Sequence, residues 1–209
     1  MNKKIYIDDF IVWQESTDEK LPDVSFIPPM VRRRMSDMEK IAVGLAGKIA
    51  PNDTNYTTVF ASQFGEWGQT LRLIRQFFDE NEMSPAGFSN SVHNAGAGMF
   101  SLITKNTNCY TAIAGGKDTL EMAILKALTE KTNVMVVFAG EHAPDMYAPL
   151  LDWQHNAFGI ALMIKTDGTH EIKTSNGDKN AEILTFEKMA DFLNDKSDCI
   201  TTKNWIMKK

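Results

Sequence analysis

Apolar and polar residues alternate along the chain in two periods, one typical of helices and one typical of strands. From Met38 to Ile49 apolar residues recur at spacings of three and four, after a Ser36 and Glu39 pair with capping-box spacing, which predicts a helix that ends at Pro51. The same spacing predicts a helix in GEWGQTLRLIRQFF, one from Asp118 to about residue 130, and a late one in TFEKMADFLND. These helices are separated by shorter apolar runs.

Five apolar runs predict strands, within residues 4–13, 57–63, 108–114, 133–140 and 157–165. The run NVMVVFAG is apolar without interruption, which is typical of a buried strand in a parallel sheet. Strands that alternate with helices predict an α/β domain with a mainly parallel, five-stranded sheet and flanking helices. No linker or repeat divides the chain, so residues 1–209 are expected to form a single domain.

Composition excludes several classes of function. The net charge is −5, and the only basic cluster, Arg32 to Arg34, is typical of a solvated approach to a helix, so no nucleic-acid partner is expected. Asp8 and Asp9 interrupt the apolar N-terminal stretch, where a signal peptide needs an uninterrupted apolar core. No segment has the roughly 20 apolar residues of a membrane span. Two cysteines and four histidines show no metal-ligand spacing, so we expect a cytoplasmic protein without a metal or cofactor.

The stretch NTNCYTAIAGGKDTLEMAIL predicts a strand, a tight glycine turn and a helix, an arrangement in which several enzyme families present a nucleophile. The bend holds no Ser or Cys. Cys109 lies within the predicted strand, away from the helix dipole that lowers a thiol pKa. A free-standing acyl hydrolase or transferase that uses Cys109, His142 or His155 therefore remains an alternative reading of these residues.

Three segments in fixed order resemble the N-terminal half of β-ketoacyl synthases, the condensing enzymes of the thiolase fold: SPAGFSNSVHNAGAGMFSL, TAIAGGKDTLEMAI and NVMVVFAGEHAPD. An earlier helix, RRRMSDMEKIAVGLA, is also similar, so the resemblance covers about residues 31–167. It implies a three-layer type of half thiolase fold. In active members the strand ends in a catalytic Cys, whose register here is occupied by Ile113, followed by Ala114, Gly115 and Gly116.

The resemblance therefore implies a noncatalytic subunit, because a hydrocarbon side chain has no lone pair with which to accept an acyl group. The family's two catalytic histidines belong to C-terminal motifs that do not occur after Asp167. The AGG and Asp after the lost Cys look like the elbow of chain-length factors, the inactive partners in type II polyketide synthases. Short proteins of this kind accompany fatty acid and polyketide systems that make aryl polyene or flexirubin pigments.

In that family the elbow strand pairs antiparallel across a two-fold axis, which implies that residues 106–113 form an edge strand. The implied partner is a complete ketosynthase in a heterodimer, or a second copy in a homodimer. Gly96 and Gly98 would allow the two backbones to approach closely at that interface. The polar face of the helix after the elbow is expected to be exposed to solvent, because the C-terminal half of the family's fold is missing. The residues implied for the interface and the acyl pocket are Leu71, Ile74, Phe78, Phe88, Asn90, Ser91, His93, Asn94 and Met99.

A third possibility is a scaffold that docks an acyl carrier protein, with Arg32 to Arg34 attracting the acidic carrier.

Overall fold

The computed structural model describes residues 4–50, 55–151, 156–166, 170–174, 178 and 180–209. His155, one of the candidate bases, lies outside the described residues. The strands are β1 (Lys4–Gln14), β2 (Tyr56–Ala61), β3 (Tyr110–Ile113), β4 (Asn133–Gly140), β5 (Phe158–Lys165), β6 (His170–Thr174), β7 (Cys199–Thr201) and β8 (Trp205–Lys208). The helices are α1 (Pro29–Arg32), α2 (Asp37–Ile49), α3 (Trp67–Glu80), α4 (Pro85–Ser89), α5 (Ala95–Thr104), α6 (Thr119–Thr129) and α7 (Phe186–Leu193).

The described strands form one mixed sheet in the order β3-β2-β4-β5-β1-β6-β8-β7. Only β3 and β4 run parallel to their neighbour β2, and the other pairings are antiparallel. The prediction of a mainly parallel, five-stranded sheet is therefore wrong in strand number and direction, although the α/β class is confirmed. The five predicted strands are present as β1 to β5, and β6 to β8 extend the sheet.

The apolar run in β4 was expected in a parallel pairing and does pair parallel with β2, but strand direction was misread at β5, because an apolar run reports burial and not orientation. Helices cover both faces of the sheet, so β4 and β5 are buried on both sides although they are antiparallel to one another. The described part of their connection contains only a short 3-10 turn, Ala148–Leu150, and no crossover helix. An antiparallel return needs no such helix.

Two core clusters, one on each face of the sheet, produce the three layers that the resemblance implies. On one face, residues of α2 and α5 such as Leu45 and Phe100 pack with Met135 and Ala161 of the central strands. On the opposite face the core includes residues of α6 and α7. The predicted capping box at the start of α2 is confirmed, with Ser36 and Glu39 exchanging hydrogen bonds.

Helix α6 is more enclosed than its polar residues indicate. Glu121 was expected on a wet face but is 1% exposed, and its Oε1 accepts a hydrogen bond from Asn204 Nδ2 at 2.7 Å. Trp205 Nε1 donates to the Glu121 carbonyl oxygen at 3.3 Å. The expectation of a solvent-exposed face is therefore wrong for Glu121, because the C-terminal segment around β8 contacts α6.

No helix in the described part of the chain is long and apolar enough to cross a membrane.

Candidate functional site

The candidate site is the elbow between β3 and α6, formed by residues 114–118. Gly116 adopts a left-handed backbone with φ of 59°, a conformation that L side chains rarely adopt, so glycine is favoured at this bend. A 3-10 turn from Gly116 to Asp118 then leads into α6, and Asp118 N–H donates to the Gly115 carbonyl at 3.1 Å. The strand, glycine bend and helix predicted from the sequence are confirmed.

The hydroxyl of Thr119 fixes the elbow. Thr119 is 1% exposed, and its Oγ1 accepts a hydrogen bond from Gly115 N–H at 2.9 Å and donates one to the Gly116 carbonyl at 2.6 Å. The sequence analysis missed this residue. A hydroxyl in the first turn after a glycine pair was the available signal, because such side chains commonly satisfy free backbone groups at helix starts.

Ile113, which the sequence resemblance sets at the register of the family's acyl-accepting Cys, has a packing role in the structure. Its half-buried side chain packs against the core cluster that includes Leu120 and Ile124. The Ile113 carbonyl accepts a hydrogen bond from Ser62 N–H at 3.1 Å, which continues the pairing of β3 with β2. The bend therefore holds hydrocarbon where a covalent mechanism needs a nucleophile.

The structure separates the residues of the alternative catalytic set. Cys109 precedes β3, whereas His142 follows β4, and both strands run parallel to β2. Cys109 therefore lies at the N-terminal end of β3 and His142 at the C-terminal end of β4, so the two residues lie at opposite ends of these parallel strands. His142 Nδ1 instead lies 3.5 Å from Glu15 Oε2, so the structure does not bring Cys109 and His142 together as nucleophile and base.

A groove of about 670 Å³ lies beside the elbow, and we call it the elbow groove. Phe64 and Trp67 stack in it with ring centroids 4.5 Å apart, and Tyr147 stacks on Trp67 at 5.9 Å. The groove is mostly apolar with one cationic residue, Lys117 of the elbow. Its lining residues are Gln63, Phe64, Trp67, Thr70, Leu71, Ile74, Lys117, Tyr147, Leu150 and Leu151.

The residues implied for the acyl pocket are divided between two surfaces. Leu71 and Ile74 line the elbow groove, whereas Asn90 and Met99 line a second groove of about 700 Å³ between α1, α4 and α5. Phe78, at the far end of α3, is 80% exposed. The structure therefore does not bring this set together into one cavity.

The remaining residues of the implied interface lie around α4 and α5. Phe88 and Asn94 are exposed, Ser91 is half-buried, and Asn94 Nδ2 donates to the Tyr110 hydroxyl of β3 at 3.4 Å. His93 Nε2 lies 2.9 Å from the Ser62 carbonyl oxygen, which ties the segment before α5 to the end of β2.

Two glutamates with raised pKa lie at the same end of the sheet as the elbow. Glu66, just before α3, is 4% exposed, and burial raises its pKa to about 8. Glu141, just after β4, accepts a hydrogen bond from Gly68 N–H at 2.8 Å, but burial raises its pKa to about 7. The sequence analysis missed both residues. Each follows the end of a buried strand, which was the available signal.

The described residues contain no cluster of His, Cys, Asp or Glu that could hold a metal ion.

The model of the family described as "Beta-ketoacyl synthase, N-terminal domain" matches residues 11–204 of this chain. The match extends beyond residues 31–167, where the segment resemblance was found. No protein of curated function is similar enough in sequence to be matched.

Solved structures share the fold at low sequence identity. A chain of the ketosynthase ApeO in complex with its chain length factor ApeC, from Xenorhabdus doucetiae, superposes with a TM-score of 0.80 at 17% identity, covering 99% of both chains. A chain of AntDE:AntF, a type II polyketide synthase acyl-carrier protein in complex with its ketosynthase, gives 0.61 at 12% identity, over 79% of this chain and 63% of that one. A β-ketoacyl synthase from Burkholderia phymatum STM815 gives 0.59 at 12% identity, over 81% and 63%.

Proposed function

This chain belongs to the β-ketoacyl synthase family, matching its N-terminal domain, and from that premise we propose that it is a noncatalytic subunit, a chain-length factor, of a ketosynthase complex. It pairs with an active β-ketoacyl-ACP synthase and shapes that enzyme's acyl pocket. The pathway we propose is fatty acid or polyketide biosynthesis of the aryl polyene or flexirubin type. The similarity to a chain from a ketosynthase and chain length factor complex over 99% of both chains supports this role.

The observation that carries the proposal is Ile113 at the elbow. The fold retains the glycine bend and the helix that follows it, but the side chain at the nucleophile's register packs into the core. Acyl transfer through a covalent intermediate at this bend is chemically excluded, because an isobutyl-sized hydrocarbon has no nucleophilic atom. A retained site architecture without its nucleophile fits a subunit that supports chemistry carried out by a partner.

The outer edge of β3 supports pairing with another subunit. Among the described strands, β3 is bonded only to β2, so one row of its backbone donors and acceptors faces outward at the end of the sheet. Such an edge is a template for a strand of a second chain. We propose that β3 pairs across the subunit interface.

Exposed apolar side chains near this edge support the same interface. Leu102 of α5 is 77% exposed and Phe88 of α4 is 59% exposed, and Tyr110 of β3 itself is 40% exposed. On α3, Phe78 is 80% exposed. Exposed large apolar side chains of this kind are candidates for contact with a partner chain.

The elbow groove is the part of this surface that we propose for control of chain length. Leu71 and Ile74 of α3 line it together with Trp67, so their volumes set the space next to the elbow. Overfilling a packed cavity costs about 1–3 kcal/mol, which is roughly a tenfold to hundredfold change in rate. A groove closed by the partner would therefore stop chain growth by volume.

Co-expression with a complete ketosynthase of the same biosynthetic system tests the proposal. We expect one stable heterodimer, and we expect Ile74→Ala to lengthen the product distribution. Ile206→Ala, on β8 at the other end of the sheet, is the matched control and is expected to leave product length unchanged. Absence of any association with a ketosynthase would contradict the heterodimer, and size-exclusion chromatography of the chain alone would show whether it instead pairs with itself.

A free-standing acyl hydrolase or transferase predicts a different result. Incubating the isolated chain with a reactive acyl thioester and measuring its intact mass is expected to show no stoichiometric adduct on Cys109. A stoichiometric adduct that forms without a partner would favour the enzyme.

A direct contact with an acyl carrier protein is supported by the charge of the α1 region. Arg33 and Arg34 are exposed, and neither forms an ion pair with a described residue. An acidic carrier protein would be attracted here, and the attraction would weaken as salt is added. Binding of carrier protein by the isolated chain that is insensitive to salt, or unaffected by Arg33→Gln with Arg34→Gln, would contradict this contact.

A further inference from the structure

Helix α3 is attached to the rest of the molecule mainly at its first turn. Leu73 is its only buried residue, while Ile74, Phe77 and Phe78 are between 44% and 80% exposed. At the N-terminal end, Glu141 Oε1 accepts a hydrogen bond from Gly68 N–H at 2.8 Å, and Trp67 stacks between Phe64 and Tyr147. The contacts of this first turn hold the N-terminal end of α3, while Leu73 lies beside Gly87 of α4.

Glu66, the residue directly before α3, is buried in that attachment without full hydrogen bonding. It is 4% exposed, and its Oε2 has no hydrogen-bond partner in the structure. The Ser36 hydroxyl lies near Glu66 and accepts a hydrogen bond from Glu39 N–H at 2.9 Å. A buried carboxylate oxygen without a partner is costly when the group is ionised.

The groups facing Glu66 are mostly acidic. Helix α2 contributes Glu39, which is fully buried, and the residue after the end of β4 contributes Glu141. The nearby cationic group is Arg72, one turn along α3, and it forms no ion pair with any of these carboxyl groups in the described chain. Several carboxylates this close to one another cannot all carry charge at low cost.

Glu66 also borders a cavity of about 20 Å³ that touches Ser62 and His93. A cavity of that size has room for about one water molecule, which is far less than an ionised carboxylate requires for solvation. Ionisation of Glu66 is therefore favourable only if the first turn of α3 moves and admits more water.

We propose that Glu66 is a proton-controlled latch: in its neutral form it holds the first turn of α3 against α2 and β4, and its ionisation releases that turn. Glu141 holds the same turn by accepting a hydrogen bond from Gly68 N–H. When Glu66 loses its proton, the negative charge of Glu141 adds to the repulsion. The proton passes between the Glu66 carboxyl group and bulk water, and no other bond is made or broken. Burial raises the pKa of Glu66 to about 8, so the stability of the packed turn falls as pH rises toward 8 and levels off above it.

Hydrogen exchange of the intact chain, measured by mass spectrometry at pH 6, 7, 8 and 9 and corrected for intrinsic exchange, tests the latch. We expect protection of the α3 peptide to fall up to tenfold per pH unit below about pH 8, while the α6 peptide serves as internal reference. Glu66→Gln, which keeps the shape and removes the charge, is expected to abolish this dependence between pH 7 and 8, above the pKa of about 7 of Glu141. Glu82→Gln, exposed just beyond α3, is the matched control and should retain it.

Glu141→Gln provides a second readout if Glu66→Gln does not fold. Its amide oxygen still accepts the Gly68 hydrogen bond, but the charge near Glu66 is gone, so a weaker pH dependence is expected. Protection of α3 that does not change between pH 6 and 9, or that changes equally in wild type and Glu66→Gln, would overturn the latch. So would an undiminished dependence in Glu141→Gln.

Release of α3 would also weaken the proposed subunit contact, because α3 carries part of that surface. This consequence rests on the proposed function, whereas the exchange measurement on the isolated chain does not. If the exchange measurement shows the latch in a chain that binds no ketosynthase, the latch is supported and only the proposed partner is contradicted.

Discussion

At the scale of single residues, two side chains decide what the elbow does. Ile113, which the resemblance sets at the nucleophile's register, packs against the core through a hydrocarbon side chain and so has a structural role. The Thr119 hydroxyl satisfies the Gly115 N–H and also donates to the Gly116 carbonyl, which accepts a hydrogen bond from the Thr119 backbone N–H as well. The bend is therefore stabilised by local hydrogen bonds and by glycine, so it persists without any catalytic group.

Replacing Gly116 tests how far the bend depends on its backbone conformation. Gly116→Ala is expected to lower the free energy of unfolding by about 1–2 kcal/mol, because φ of 59° places a Cβ against the following carbonyl. Gly98→Ala in α5 is the control, since the nearest atom to its added Cβ would be the Tyr110 hydroxyl oxygen at 3.8 Å. It is expected to be neutral or stabilising, and equal losses in urea unfolding of both variants would contradict the assignment.

The pKa of Glu66 predicts how stability changes with pH. Its pKa is raised above the ordinary value of 4.5 to about 8, so its stabilising contribution is complete below pH 4.5 and is lost as pH rises through 8. Relative to Glu66→Gln, the wild-type free energy of unfolding should fall by up to about 1.4 kcal/mol per pH unit in that window. Urea titrations of both proteins between pH 5 and 8.5 measure it, and parallel curves would rule it out.

At the scale of elements, α3 and α5 show why a sequence pattern alone does not identify an interface. The glycines of α5 were expected to approach a partner chain, but Gly96 is buried within its own subunit, where an added Cβ would lie 3.5 Å from Ala42 Cβ of α2. Gly98 lies nearer to β3. In α3 the apolar stripe is exposed, although the same spacing in α2 is buried. Periodicity identifies an apolar face but not what covers it.

Two apolar residues of α3 are expected to behave differently when replaced. Leu73→Ala should lower the free energy of unfolding by about 2–5 kcal/mol, because its side chain is 5% exposed. Phe78→Ser should change stability of the isolated chain by less than about 0.5 kcal/mol, because its side chain is exposed. The same variant should weaken binding to the proposed ketosynthase partner at least about tenfold if α3 contributes a central contact.

Thermal or urea unfolding measures the stability of both α3 variants, and calorimetry of the complex measures the affinity. A Phe78→Ser protein that is as unstable as Leu73→Ala would mean that Phe78 packs within the subunit.

At the scale of the whole molecule, the C-terminal residues complete the sheet and enclose α6. Strand β8 pairs with β6 and β7, and its first residue, Trp205, is fully buried next to α6. Asn204 satisfies the buried carboxylate of Glu121. The C-terminal segment therefore covers α6, the helix that follows the elbow, and connects it to the far end of the sheet.

Breaking the contact between Asn204 and Glu121 tests this coupling. Asn204→Ala is expected to lower the free energy of unfolding by about 1–3 kcal/mol, because the buried Glu121 carboxylate loses its side-chain donor. Asn180→Ala, an exposed position, is the control and should change it by less than about 0.5 kcal/mol. Urea midpoints of the two variants that do not differ would show that α6 is held without this bond.

The sequence by itself determined the features that depend on neighbouring residues. Helix α2 with its capping box, the strand, glycine bend and α6, and the hydrocarbon at Ile113 all follow from patterns shorter than about 20 residues. Edge placement of β3 was implied by family resemblance and agrees with the strand order.

Only the tertiary structure decided strand direction, the added strands β6 to β8, the burial of Glu66 and Glu121 and the partial burial of Glu141. These features arise from contacts between residues far apart in the chain, which leave the local apolar pattern unchanged. An apolar strand reads the same in either direction, and a glutamate reads as solvent-facing until the surrounding elements are placed around it. Contacts between distant parts of the chain therefore determined which carboxyl groups are shielded from solvent, and so which of them have a raised pKa at the start of α3.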